Sequence, residues 1–333
     1  DKFMGIIVNS GNANACTGQR GVDDYWTIVS HFEKRLNLQP KSLLMSSTGV
    51  IGVNLPVERF LAKDEELIDS IDDEDELFTK AIMTTDTVPK KVAVLVETAN
   101  GVYVVGGAAK GAGMIAPSMA TMLAFITTDA MVEKDVLQRA LSVAVDTTFN
   151  AITVDGDMST NDSCFIFANG LSGIKIESES AIAQFSEAVR IVCDTLAKKI
   201  VMDGEGATKL VHIEITNAKS FEDAKVCAFK IANSPLVKTM FFGADPNWGR
   251  LMASVGASLI DIDPERIDIY FNNLKYVENS VLVDPALEKE VHKIMLEREY
   301  TIKIDLKVGG ESFKVMTSDF SYDYVKINAD YRS

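Results

Sequence analysis

Apolar positions along this chain fall into two rhythms. Residues 4–8 are a short apolar run stopped by Asn9, Ser10 and Gly11, which predicts a buried strand ending in a turn. In 26–36 the spacing of Ile28, Val29, Phe32 and Leu36 is helical. MSSTGVIG at 45–52 is an apolar and small-residue stretch with a polar turn from Ser47 to Gly49. Two strand-like runs, 92–96 and 102–105, flank Asn100-Gly101, a hairpin signal because both residues tolerate the positive φ of a tight turn. MLAFI at 122–126 opens a further strand. Helices are predicted over 136–148 and 180–200, the second with Ile182, Phe185, Val189, Val192, Leu196 and Ile200 at spacings of three and four. Asp284-Pro285 supplies an N-cap and a first-turn proline for a helix running to Leu296. From Tyr300 onward TIKIDLKV, SFKVMTS and YVKINADY alternate and read as strands.

Strand and helix runs interleave without an internal repeat or a low-complexity linker, which implies layered α/β architecture in one body. At about 150 residues per domain, 333 residues predict two lobes. The net charge of −15 argues against nucleic acid and against an anionic membrane surface, since both need clustered Lys and Arg. No run of 18 apolar residues and no signal peptide is visible, so a cytoplasmic location is expected. The acidic stretch 64–76 reads as a solvated face. Cys16, Cys164, Cys193 and Cys227 are scattered, without a CxxC, and read as small buried hydrophobes in a reducing compartment. The opening DKFMGIIVNSG has no initiator Met and runs straight into a strand, which suggests that sequence precedes it.

Several chemical signals fail on inspection. GAGMIA at 111–116 matches G-x-G-x-x-A, but Pro117 and the small polar run after it do not continue a phosphate-binding helix and no crossover helix leads to Asp129, so it is not a dinucleotide fingerprint. Asp155, Asp157, Asn161 and Asp162 lack the glycine and glutamate of a calcium loop and predict a turn rich in side-chain hydrogen bonds. His31, His212 and His292 form no zinc spacing, no metal site is expected, and no G-x-S-x-G elbow occurs. What remains is hydroxyl residues beside glycines. A threonine becomes a competent nucleophile when it is N-terminal, because its own α-amine, with a pKa of roughly 7.7–8.0, can take and return a proton. Nothing in the periodicity marks where a chain would be cut to expose one.

Long blocks do carry a resemblance. VNSGNANACTG at 8–18, SSTGVIG at 46–52, MTTDTVPK at 83–90 and GGAAKGAGMIAPSMATMLAFITTDA at 106–130 resemble the ornithine acetyltransferase family. So do TVDGDMSTNDS at 153–163, DGEGATK at 203–209, SPLVKT and FGADPNWGR within 234–250, and the terminal YVKINADY. The family implies a layered α/β sandwich of two β-sheets between helices. It also implies autocatalytic cleavage between Ala120 and Thr121, giving an α piece (1–120) and a β piece (121–333) that stay intertwined and pair into an α2β2 assembly.

The same resemblance makes Thr121 the nucleophile and Thr48 with Gly49 the oxyanion hole. Thr84, Lys110, Glu205, Asn328 and Ser333 would bind substrate. The family more often ends in Thr than in Ser, and the hydroxyl is kept. The implied reaction belongs to arginine biosynthesis. Acetyl passes from N-acetylornithine to Thr121 and then to glutamate, with Lys110 pairing a substrate carboxylate and Glu205 an amine. No cofactor is implied, although acetyl-CoA is a possible co-substrate. The alternatives are a self-cleaving amidohydrolase or aminopeptidase that releases acetate to water, and a binding protein that keeps the fold without catalysis.

Overall fold

The computed structural model describes residues 3–71, 75–116 and 122–330. Ala120, Thr121 and Ser333 lie outside them.

The first strand, β1 (Gly5–Asn9), is followed by helix α1 (Gly18–Arg35) and by β2 (Leu43–Ser47), which pairs with β1 in parallel. Alternation splits β1 between two layers. Ile7 faces α1 together with Leu43 and Met45, while Ile6 and Val8 face the opposite way. The short helices α2 (Val57–Ala62), α3 (Asp64–Asp69) and α4 (Asp75–Ala81) lead to the hairpin of β3 (Lys90–Thr98) and β4 (Gly101–Lys110), which turns at the expected Asn-Gly. Next come β5 (Leu123–Thr128), α5 (Lys134–Thr147), β6 (Ile152–Thr153), β7 (Ser163–Ala168) and α6 (Glu179–Met202).

Strands β3, β4, β5 and β7 form a four-stranded sheet in that order. One of its faces packs Ala124 and Ile126 under α5 and α6. The other presents Leu123, Phe125 and Phe165 to Ile6 and Val8 of β1. The layers therefore run helices, sheet, sheet, helix, the sandwich that the resemblance implied.

The rest of the chain adds a larger sheet. It contributes β8 (Leu210–Ala218), α7 (Phe221–Ala232), α8 (Pro235–Phe242), α9 (Trp248–Gly256), β9 (Asp268–Phe271), β10 (Leu274–Glu278) and β11 (Val281–Leu282). They are followed by α10 (Glu288–Leu296), β12 (Glu299–Asp305), β13 (Glu311–Ser318) and α11 (Tyr322–Asp330). The seven strands run in the order β11-β10-β9-β12-β8-β13-β6. Val211, Ile213 and Ile215 of β8 are buried beneath α7, while His212, Glu214 and Thr216 between them are only half-buried, the alternation of a sheet covered on one face. Helix α6 touches β3 and β4 of one sheet and β6 and β13 of the other, and so joins the two.

Two readings need correction, and two helices were not anticipated. YVKINADY is helix rather than strand as far as Asp330. Its Val and Ile alternate over too few residues to separate the two periods, and Val325 is exposed, not core. Cys16 is exposed and Cys164 half-buried, whereas Cys193 and Cys227 are buried as expected. Helices α7 and α8 escaped the periodicity although both carry caps, with Ser220 accepting from the Asp223 N–H and Ser234 from the Val237 N–H. Among the described residues no helix is long and apolar enough to cross a membrane.

Candidate functional site

The cleft is built where β1 and β2 end. The Asn9 carbonyl accepts the Thr48 N–H at 3.0 Å, and Asn9 Oδ1 accepts from the Ser47 hydroxyl at 2.7 Å, so the chain leaves β2 in a fixed direction. Gly49 follows with φ +129°, and a Cβ there would lie 2.3 Å from the Gly11 carbonyl carbon. Only glycine satisfies both the angle and the space.

Lys110, the last residue of β4, reaches this turn from below. Its Nζ donates to Thr48 Oγ1 at 3.1 Å and to Thr84 Oγ1 at 2.9 Å. Its side chain is buried, and burial pulls the ammonium below its usual pKa against the opposing pull of Asp86. Asp86 accepts from Gly111 N–H at 2.7 Å, from Thr84 N–H at 3.1 Å and from Lys90 Nζ at 2.6 Å. Burial pushes the Asp86 carboxyl up, and Lys90 and Lys110 overcome this to hold it below the usual range. Lys90 also donates to Asp203 at 2.6 Å, completing a buried ion triad behind the cleft.

The opposite wall comes from the turn after α6. The Glu205 N–H donates to the Ala112 carbonyl at 2.8 Å, and its carboxylate accepts from Asn328 Nδ2 of α11 at 2.7 Å. Gly113 lies against that carboxylate, where a Cβ would stand 2.3 Å from the carboxyl carbon. Asp155 shapes the neighbouring backbone by accepting from the Met114 and Ile115 N–H groups at 2.6 and 2.9 Å, and burial raises its pKa.

Thr48, Gly49, Thr84, Glu205 and Asn328 line one cavity of about 60 Å3, with Lys110 directly behind two of them. That is room on the order of two waters, enough for a group the size of an acetyl. A larger cavity of about 860 Å3, with Lys90, Asp203, Arg298 and Lys326 among its walls, contains none of the expected site residues. Every expected site residue within the described part thus converges on one place. Ser159, Thr160 and Asn161 also line it and were missed, because their polar run reads locally as a turn. Asp162 beside them accepts the Met122 N–H at 2.8 Å. The histidines lie elsewhere, with His31 on Asp64, His212 on Glu299 and His292 on the Ala244 carbonyl. No group of His, Cys, Asp and Glu able to hold a metal occurs among the described residues.

Comparison with known proteins decides the family. The profile of the ArgJ family matches residues 1–333. The chain belongs to this family. It is 48% identical over 332 residues to a protein of Geobacter sulfurreducens named arginine biosynthesis bifunctional protein ArgJ, covering 98% of this chain and 84% of that one. A protein of the same name from Dehalococcoides mccartyi is 46% identical over 333 residues, covering 98% of this chain and 80% of its own. Among solved structures, the ArgJ protein of Bacillus halodurans superposes with a TM-score of 0.59 at 40% identity, covering 62% of this chain and 98% of that one. The mixed α/β layers are therefore those of an ArgJ fold over the part that superposes.

Proposed function

We infer that this chain is an acyltransferase that moves the acetyl group of N2-acetyl-L-ornithine to L-glutamate in arginine biosynthesis. The nucleophile is Thr121, freed by self-cleavage at Ala120-Thr121. The observation that carries the reading is the Lys110–Thr48 hydrogen bond on the wall of the cavity. An ammonium only donates, so the Thr48 oxygen accepts from it, and the Thr48 proton is left to point at a developing oxyanion. The Gly49 N–H, which makes no hydrogen bond to a described residue, is the second donor.

In turnover the Thr121 amine takes the hydroxyl proton as Oγ attacks the acetyl carbonyl. Ornithine leaves with that proton, glutamate attacks the acetyl ester, and ping-pong kinetics follow. The remaining donor of Lys110 meets a substrate carboxylate, while Glu205, held by Asn328, meets an amine. Ser333 completes the substrate contacts. The α piece (1–120) and β piece (121–333) stay together because β4 and β5, one from each, are paired in a single sheet. They assemble as α2β2 in the cytoplasm, and no cofactor takes part.

The test has two parts. Denatured protein should give two masses joining at Ala120 and Thr121, with a Thr121→Ala variant intact. Acetyl should then pass to glutamate faster than to water. An uncut wild-type chain, or release of free acetate as the main product, rejects the reading. Acetyl-CoA offered in place of acetylornithine decides whether it is a second donor.

A further inference from the structure

The mechanism above uses the Thr121 amine as base, which leaves the cut itself without one. Before cleavage that nitrogen belongs to a peptide bond, and its lone pair is delocalised into the carbonyl. The histidines are held at other sites. Lys110 is committed as a donor to Thr48 and Thr84. Another group near the scissile bond has to carry the proton.

One carboxyl is built for it. Asp162 Oδ1 accepts from the Met122 N–H at 2.8 Å, while Oδ2 is buried and has no hydrogen-bond partner among the described residues. An orphaned buried carboxylate oxygen is uncommon and calls for a functional account. The Met122 nitrogen belongs to the peptide bond with Thr121, so Asp162 is tied to the neighbour of the residue that must react. The register is fixed on both sides, because Leu123 pairs with Ser163 and the Ser163 N–H donates to the Met122 carbonyl at 3.1 Å.

Resting on the self-cleavage reading, we propose that Asp162 is the acid–base group of self-cleavage at Ala120-Thr121. Its Oδ2 takes the Thr121 hydroxyl proton as Oγ bonds to the Ala120 carbonyl carbon. The Ala120–Thr121 C–N bond breaks, and Asp162 returns the proton to the departing nitrogen, leaving an ester and a free amine. Water then adds to the ester carbonyl. Oγ leaves with one water proton, and the other passes from the new Ala120 carboxyl to the amine. Burial pushes the Asp162 carboxyl up to about 7, against the Met122 N–H and the positive charge of Lys110 on β4. It can therefore both accept and return a proton near neutrality. Lys110 is itself faced by Asp86, Lys90 and Glu205.

The test follows fragment appearance by mass in freshly synthesised full-length wild type, Thr121→Ala and Asp162→Asn. Asparagine keeps an acceptor for the Met122 N–H and cannot take a proton. We expect Asp162→Asn to melt as cooperatively as wild type and to cut about 100-fold more slowly or not at all. Cutting at the wild-type rate overturns the proposal and leaves the function standing, whereas an uncut wild type removes the function first. If Asp162→Asn does not melt cooperatively, the wild-type cutting rate between about pH 5.5 and 8.5 decides. A rise with a midpoint near 7 supports Asp162, and a flat profile overturns it.

Discussion

Lys110 and Thr48 lie 62 residues apart in sequence and meet at 3.1 Å, the ammonium donating and the hydroxyl accepting. That single bond sets which way the Thr48 proton faces. Thr48→Val should therefore lower kcat for acetyl transfer by about 10²–10³ with a small change in KM, the usual cost of one oxyanion donor. Lys110→Met should lose much of its own effect on kcat when made in the Thr48→Val background, because its effect on the oxyanion passes through the Thr48 hydroxyl, whereas its effect on carboxylate binding stays in KM. Steady-state kinetics of the four proteins check this, and full additivity rejects it.

Lys90 is entirely buried between Asp86 and Asp203, at 2.6 Å from each. Lys90→Met leaves two buried carboxylates without their cation. Removing one partner of such a group costs about 3–5 kcal/mol. A urea titration should show that loss with the slope unchanged. Because Asp86 also fixes Gly111 and Thr84, residual folded protein should bind substrate more weakly.

Gly113→Ala places a methyl 2.3 Å from the Glu205 carboxyl carbon. Either the loop or the carboxylate has to move, at a cost of about 1–3 kcal/mol. If Glu205 holds the substrate amine, KM should rise by more than kcat falls. An unaltered KM would detach Glu205 from substrate binding.

The pH dependence of stability has a definite sign at Asp162. Its folded pKa, about 7, lies above the unfolded value, so the folded state holds the proton more tightly. The contribution is full below the unfolded carboxylate pKa and is lost as pH rises through about 7. Thermal melts of wild type and Asp162→Asn should show wild type losing ground to the variant between about pH 5 and pH 8. A difference that is constant across that window contradicts the burial of the carboxyl.

Much of this was legible along the chain. The β3–β4 hairpin, α5, α6 and the capped turn into α10 follow from local periods and turn residues, which act over a few positions. The resemblance blocks pointed to Thr48, Gly49, Thr84, Lys110, Glu205 and Asn328, and the fold draws these onto one cleft. The turn at 155–162 was read correctly as rich in side-chain bonds. Nothing local, however, distinguishes a turn that caps itself from one whose Asp162 reaches Met122, 40 residues away.

The sequence by itself determined the periods, the caps and the family, because each is written in neighbouring residues or in unbroken blocks. Only the tertiary structure decided the rest. It made the last segment a helix and brought its Asn328 to Glu205, 123 residues away. It assembled the ion triad, in which Lys90 and Asp203 are 113 residues apart. It also left one oxygen of Asp162 buried and without a partner among the described residues. Burial and partner choice depend on which distant surfaces are brought together, and a one-dimensional pattern does not hold that information.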